Sequence, residues 1–195
     1  MYGTDITAAG AAALAGLDPV AAESSLDRLA AAHLIEEHAP DRFRLHRLVR
    51  HYATERAERA DDDTERACAV LRLLSWYLRY ARAAVAIGGL DTVPPDDLDA
   101  RPDGPAQAEG WLEAEWENLA AAVRHGPLWL AWLLGDTLHD YLDATVRRSG
   151  QVSRLADRWA ELPVRPRWPS PTELYEGPLE LPVPRGRAAV RIARG

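Results

Sequence analysis

Between Arg42 and Ala57 the chain reads RFRLHRLVRHYATERA, an alternation of polar and apolar residues that passes without a gap into helical spacing. Arg42, Phe43, Arg44 and Leu45 have the two-residue period of a strand covered on one face, with Phe43 and Leu45 turned inward. From Leu45 onward Leu48, Val49, Tyr52, Ala53, Ala57 and Ala60 fall on one helical stripe. A strand that feeds directly into a helix needs a second strand beside it and something apolar beneath it. Leu34 and Ile35, followed by the breaker Ala39-Pro40-Asp41, supply the second strand of a β-hairpin. Two strands alone are marginal in water, so the hairpin must lie on helices.

Those helices are predicted upstream. Ile6 to Leu17 is mostly Ala, a strong helix former, with Gly16 placed to end the helix. Asp18-Pro19 then gives an N-cap followed by proline at the first helical position, where its missing N–H costs nothing. Ala22, Leu26, Leu29, Ala30 and His33 share a face, which predicts a second helix ending near His33. Two helices, a hairpin and a closing helix make a small winged-helix domain over residues 1–60. The closing helix carries His51, Glu55 and Arg59 opposite its apolar stripe at i, i+4 spacing.

Downstream the pattern is helical. Asp61 to Asp63 is an acidic stop, Thr64 an expected N-cap, and Ala67, Leu71, Leu74, Leu78, Ala81 and Val85 form the stripe of a connecting helix over 61–88. Trp76, Tyr77 and Tyr80 thicken that surface and are read as helix packing rather than a stacking platform. Residues 89–107, rich in Pro, Gly and Asp, read as a linker. Over 108–149, Trp111, Leu112, Trp116, Leu119 and Val123 define one helix with Glu109, Glu113 and Glu117 outward. The His125-Gly126-Pro127 break leads to a buried helix, Leu128 to Leu142, holding Trp129 and Trp132. Two helices joined by a tight turn form a tetratricopeptide-like helical hairpin, although arrays of such units need about three repeats. From 150 to 195 seven of the prolines and eight arginines accompany a loss of all period, which predicts a disordered tail or the product of a shifted reading frame. The expected fold class is therefore mainly α.

No catalytic motif is present. Every one of the 23 basic residues is Arg, so a phosphate-binding loop ending in Gly-Lys-Ser/Thr is excluded, and the glycine fingerprints, the G-x-S-x-G elbow and H-E-x-x-H are missing too. His46 and His51 are five apart, on different helix faces, and unsuited to one metal. A single cysteine, Cys68, excludes an internal disulfide and fits a reducing cytoplasm. The longest apolar run, Leu128 to Leu134, is too short to span a bilayer. The expectation is a soluble, cytoplasmic protein that is not an enzyme.

A winged helix raises the possibility of DNA binding. Yet Thr4 to Pro40 holds six acids and one base, and the net charge is −7, the wrong sign for docking on phosphates. The basic residues Arg42, Arg44, Arg47 and Arg50 cluster instead around the hairpin and the following helix. They read as a solvated edge, or as a contact with an anion or a partner domain.

The strings LDPVAAESSLDRLAAAHLIEE, RFRLHRLVRHYATERA, LRLLSWYLRYARAA and WLEAEWENLAAAV, in this order, resemble the region after the nucleotide-binding domain in SARP-like transcriptional regulators of the STAND, or NB-ARC, type. The resemblance covers Tyr2 to about Leu142, with the second and fourth strings the more specific. It implies a regulatory winged helix that packs on an ATPase domain and helps to hold ADP, followed by tetratricopeptide repeats. The family's LHD-LVR motif falls on Leu45 to Arg50, making His46 the residue that faces nucleotide phosphates; Arg47 stands where the family usually has Asp. The family's phosphate-binding loop, its Mg-binding acid and its DNA-binding domain have no counterpart in the sequence, so ADP or ATP enters only if an ATPase domain is supplied from elsewhere. The resemblance thus implies a regulatory and sensor fragment whose partner is a protein or the ATPase domain of a related regulator. The alternative is a free-standing winged-helix DNA-binding regulator.

Overall fold

The Ala-rich first helix, α1 (Ala8–Ala15), begins where Thr7 accepts a hydrogen bond from the Gly10 N–H and ends at Gly16, left-handed at φ 69°. A side chain at Gly16 would be strained by that φ and would meet Arg72. α2 (Pro19–Ala31) starts as its sequence predicts, with the Asp18 carboxylate accepting from Ala21 N–H at 3.0 Å and Pro19 in the first turn. It stops two residues before His33, which adopts a positive φ of 56° and turns the chain into the hairpin. These are the first elements of a computed structural model that describes residues 5–87, 102–149 and 157–158.

The hairpin pairs β1 (Ile35–Ala39) with β2 (Arg42–Leu45), antiparallel, with Ile35 opposite Leu45 and an irregularity between Glu37 and Ala39. Asp41, at φ 53°, makes the turn, and its carboxylate accepts from the Ala8 N–H at 2.8 Å, which ties the turn to the start of α1. Ile6 adds a bridge on the far side of β2, exchanging backbone hydrogen bonds of 2.9 and 3.0 Å with Phe43. This bridge places the segment before α1 beside the hairpin. Ile6, Leu26, Ile35 and Phe43 are buried together between hairpin and helices.

α3 (Arg47–Ala60) follows directly, as the alternating and then helical spacing requires, but its apolar stripe is covered only along the Val49, Ala53 and Ala57 edge. None of its residues is buried, and Leu48 and Tyr52 are 83% and 62% exposed. Helical spacing identifies the apolar face; it does not supply a neighbour. α4 (Asp63–Ile87) begins one residue before the expected cap, because Asp62 and not Thr64 closes it. Asp62 accepts from Glu65 N–H at 2.7 Å while Glu65 reaches back to the Asp62 N–H, a reciprocal capping box. Arg66 straps the joint by donating to the carbonyls of Ala57, Glu58 and Asp61 at the end of α3.

α4 is the central element. Leu74, Ala81, Ala83 and Ala84 have no accessible surface, and the helix packs on α1, α5 and α7. Trp76 and Tyr80 meet Trp111 of α5, with the Tyr80 and Trp111 rings stacked at 4.3 Å, so these aromatics are packing residues. The single helix expected across Trp111 to Val123 is two: α5 (Pro105–Ala114) and α6 (Trp116–His125), broken at Glu115, whose φ and ψ of −89° and 2° leave the helical region. Pro105 opens α5, so helix begins within the last residues of the expected linker. α7 (Leu128–Ser149) returns along α4 and α6 and buries Leu130, Leu134 and Leu138. Trp129 is 57% exposed and is not the core residue its apolar neighbourhood suggested. The helices with the small antiparallel sheet agree with a mainly α winged helix followed by helical hairpins. The described residues belong to one compact unit, Met1–Val164. The expected linker lies outside the described residues up to 101, and the expected tail does so apart from 157–158.

Candidate interaction site

The two most specific strings of the sequence meet in space. Arg42 of β2 places Nη1 at 3.0 Å from Asp5 Oδ1 and at 2.8 Å from Glu115 Oε1. Glu115 Oε2 accepts from Asn118 Nδ2 at 2.6 Å, and the same amide nitrogen lies 3.4 Å from Asp5 Oδ1. Tyr77 of α4 hydrogen-bonds Glu115 from beneath, and His38 of β1 reaches Asp5 Oδ2 at 2.9 Å at the outer edge. The sequence creates this cluster through three local choices: the Ile6 bridge brings Asp5 to the hairpin, the β2 pleat turns Arg42 away from Phe43, and the break between α5 and α6 points Glu115 inward.

The cluster is dry. Glu115 and Asn118 are each 1% exposed, and Asn118 Oδ1 has no hydrogen-bond partner. Burial pushes the Glu115 carboxyl above its ordinary range, while the Asn118 hydrogen bond and the Arg42 charge pull it back. Burial, with the nearby Glu115 charge, pushes the Tyr77 phenol far up, so it stays a neutral donor. Such a cluster can fix the placement of elements. It offers no open face for a substrate.

The basic residues of the opening string are therefore divided. Arg42 is turned inward on Asp5 and Glu115. Arg44 stands on the same side of β2 but beyond the cover of the α5–α6 corner, paired with Glu36 at 3.3 Å, an exposed pair that contributes about 0–1 kcal/mol. His46 is the N-cap residue of α3 without a side-chain cap bond; it is exposed, with Nε2 3.8 Å from Glu36. Arg47 is exposed in the first turn, and Arg50 is half-buried at the wall of a groove.

That groove, about 810 Å³, separates α3 from α4. Leu14, Leu45, Ala53, Ala57 and Val70 line its apolar part, and Arg50, Asp61, Glu65 and Arg72 its polar part. A second apolar hollow of about 240 Å³ between α1, α2 and the hairpin shares Leu14, Ala15 and Leu45 with it. The groove thus presents apolar surface bordered by charge, while Leu48 and Tyr52 stand uncovered on the opposite face of α3. Among the described residues there is no group of three or more His, Cys, Asp or Glu able to hold a metal, and no helix is long and apolar enough to cross a membrane.

Glu115 and Asn118 were missed by sequence reasoning, though a signal existed. Glu115 lies three residues after Leu112 and four before Leu119, in the apolar phase of the helix. An acid in that phase is either strained or paired, and here it is paired.

Comparison with known proteins points to regulators. The chain is similar to Regulatory protein AfsR of Streptomyces griseus, 45% identical over 129 residues that make up 63% of this chain and 13% of that protein. It is also similar to Regulatory protein AfsR of Streptomyces coelicolor, 37% identical over 133 residues with the same shares. The chain thus spans 13% of the length of each of these relatives. No family model matches the chain, and no solved structure matches it.

Proposed function

We propose that the chain is a regulatory segment of a SARP-like transcriptional regulator of the STAND type, acting by protein contact and not by catalysis. The observation that carries this reading is the uncovered Leu48 and Tyr52 edge of the α3 stripe on a chain otherwise packed around α4, together with the similarity to Regulatory protein AfsR. The partner is the ATPase domain of a related regulator, which would cover Leu48 and Tyr52. Full burial of a side chain of the size of Leu48 would contribute about 1.5–3 kcal/mol. The α5 to α7 helices, joined to the wing through Arg42 and Glu115, are the sensor side.

ADP or ATP belongs to this reading only through that partner. His46 and Arg47 sit at the N-terminus of α3, where unpaired backbone N–H groups favour phosphate, and His46 is the residue that would face it. Arg44, Arg47 and Arg50 would meet a partner's acids or the nucleotide.

Calorimetry tests this directly. The chain is titrated with ADP alone and then with a separately produced ATPase domain, with and without ADP. Binding to the domain, lost in Leu48→Asp, is the expected result; no binding in any combination overturns the reading. Duplex DNA binding with a steep salt dependence, removed by changing Arg44 and Arg47 to Ala, would replace it with a free-standing DNA-binding regulator.

A further inference from the structure

The buried cluster that joins the hairpin to the α5–α6 corner holds more acids than guanidinium groups. Asp5 and Glu115 face one guanidinium, Arg42, so two carboxylates share one cation, with His38 meeting Asp5 at the outer edge. The amide of Asn118 donates to both carboxylates, yet its own oxygen is buried without a partner. A pair bound mainly for stability would be replaced at no loss by apolar side chains, because desolvation offsets much of the Coulomb gain. α1 packs on both α2 and α4 and so carries the wing on the core, whereas the hairpin itself packs on α2 and on the segment at Ile6, α5 on α4 and α6 on α7. The polar cluster is therefore the direct contact between the hairpin and the α5–α6 corner, beside the α1–α4 packing that joins the wing to the core.

We propose that Asp5, Arg42 and Glu115 form a release catch, which fixes the wing on the α5–α6 corner and lets both open together when Arg42 ceases to bridge the two carboxylates. The catch links the winged helix to the helical hairpin within this chain, and it does not depend on the identity of any docking partner. The sharing of one cation by two carboxylates gives the cluster a sign. Removing the cation leaves two carboxylates, the buried Glu115 and the partly buried Asp5, without the charge between them and opens the catch. Removing the charge of Asp5 leaves Arg42 to Glu115 alone and tightens it.

Hydrogen exchange on the full chain, resolved to peptides, reads both effects. In Arg42→Gln, exchange is expected to rise together in Ile35–Leu45 and Trp111–Val123 by on the order of a hundredfold, the equivalent of losing one partner of a buried pair. The amides around Leu74 and Ala81 in α4 stay protected. In Asp5→Asn, which keeps the hydrogen-bonding shape, both segments exchange at the wild-type rate or more slowly. Acceleration spread evenly over α4 as well, acceleration in only one of the two segments, or opening by Asp5→Asn equal to that of Arg42→Gln each overturns the proposal. If Arg42→Gln does not fold, Arg42→Lys, which keeps the charge but loses the planar fork, is judged by the same criterion against Asp5→Asn.

Discussion

α3 and α4 are neighbouring helices with similar apolar stripes and opposite fates. Leu48 and Tyr52 of α3 face water, whereas Leu74, Tyr77 and Ala81 of α4 are sealed between α1, α5 and α7. The periodicity of both is visible in the sequence, because it is a property of each helix alone. Coverage depends on other elements, and only α4 has them. A bare stripe at helical spacing therefore marks a surface that either lies against another element or awaits one.

The contrast can be broken at four places. The largest effect is expected for Leu74→Ala, which leaves a cavity in the middle of the core and should cost about 2–5 kcal/mol in urea unfolding. Asp62→Ala removes half of the capping box at the joint of α3 and α4 and should cost about 1 kcal/mol, with increased exchange confined to the first turn of α4.

The third prediction concerns pH. The Glu115 carboxyl is raised in the folded chain by burial, so over the window from its ordinary value up to its folded value the native state holds a proton that the unfolded state has lost. Glu115 therefore lowers stability as pH rises through that window. Below the ordinary value this loss is absent, and above the raised value it is complete. Glu115→Gln should flatten this part of the stability profile measured by urea unfolding between acid and neutral pH; an unchanged slope would show that Glu115 is not its source.

The smallest effect belongs to Leu48→Ala, expected within about 0.5 kcal/mol of wild type because the side chain has nothing to lose. A loss comparable to that of Leu74→Ala would mean that α3 is covered in solution.

The features legible in the sequence were those decided by a few adjacent residues. Gly16, Asp18-Pro19 and the Ala39-Pro40-Asp41 turn act within one turn of chain, and each is found where it was expected. The central cluster depends on contacts 37 and 113 residues apart in sequence, Arg42 to Asp5 and Asn118 to Asp5, which no local pattern encodes. Arg42 looked like one of four similar cations, because the sequence does not reveal which end of β2 is covered by another helix. Glu115 was hidden among Glu109, Glu113 and Glu117, and only its phase separates it from those solvated acids. The break at Glu115 was likewise invisible, since neither Gly nor Pro marks it.

The bridge between Ile6 and Phe43 has a mechanical consequence. Asp5 stands immediately before that bridge and touches both His38 and Arg42, so Asp5 and Ile6 together clasp the hairpin at the cluster. Two backbone hydrogen bonds and the Asp5 contacts are what resist displacement of these two residues from β2. Displacing Asp5 would loosen the hairpin and the α5–α6 corner together, because Arg42 of one and Asn118 of the other reach the same carboxylate.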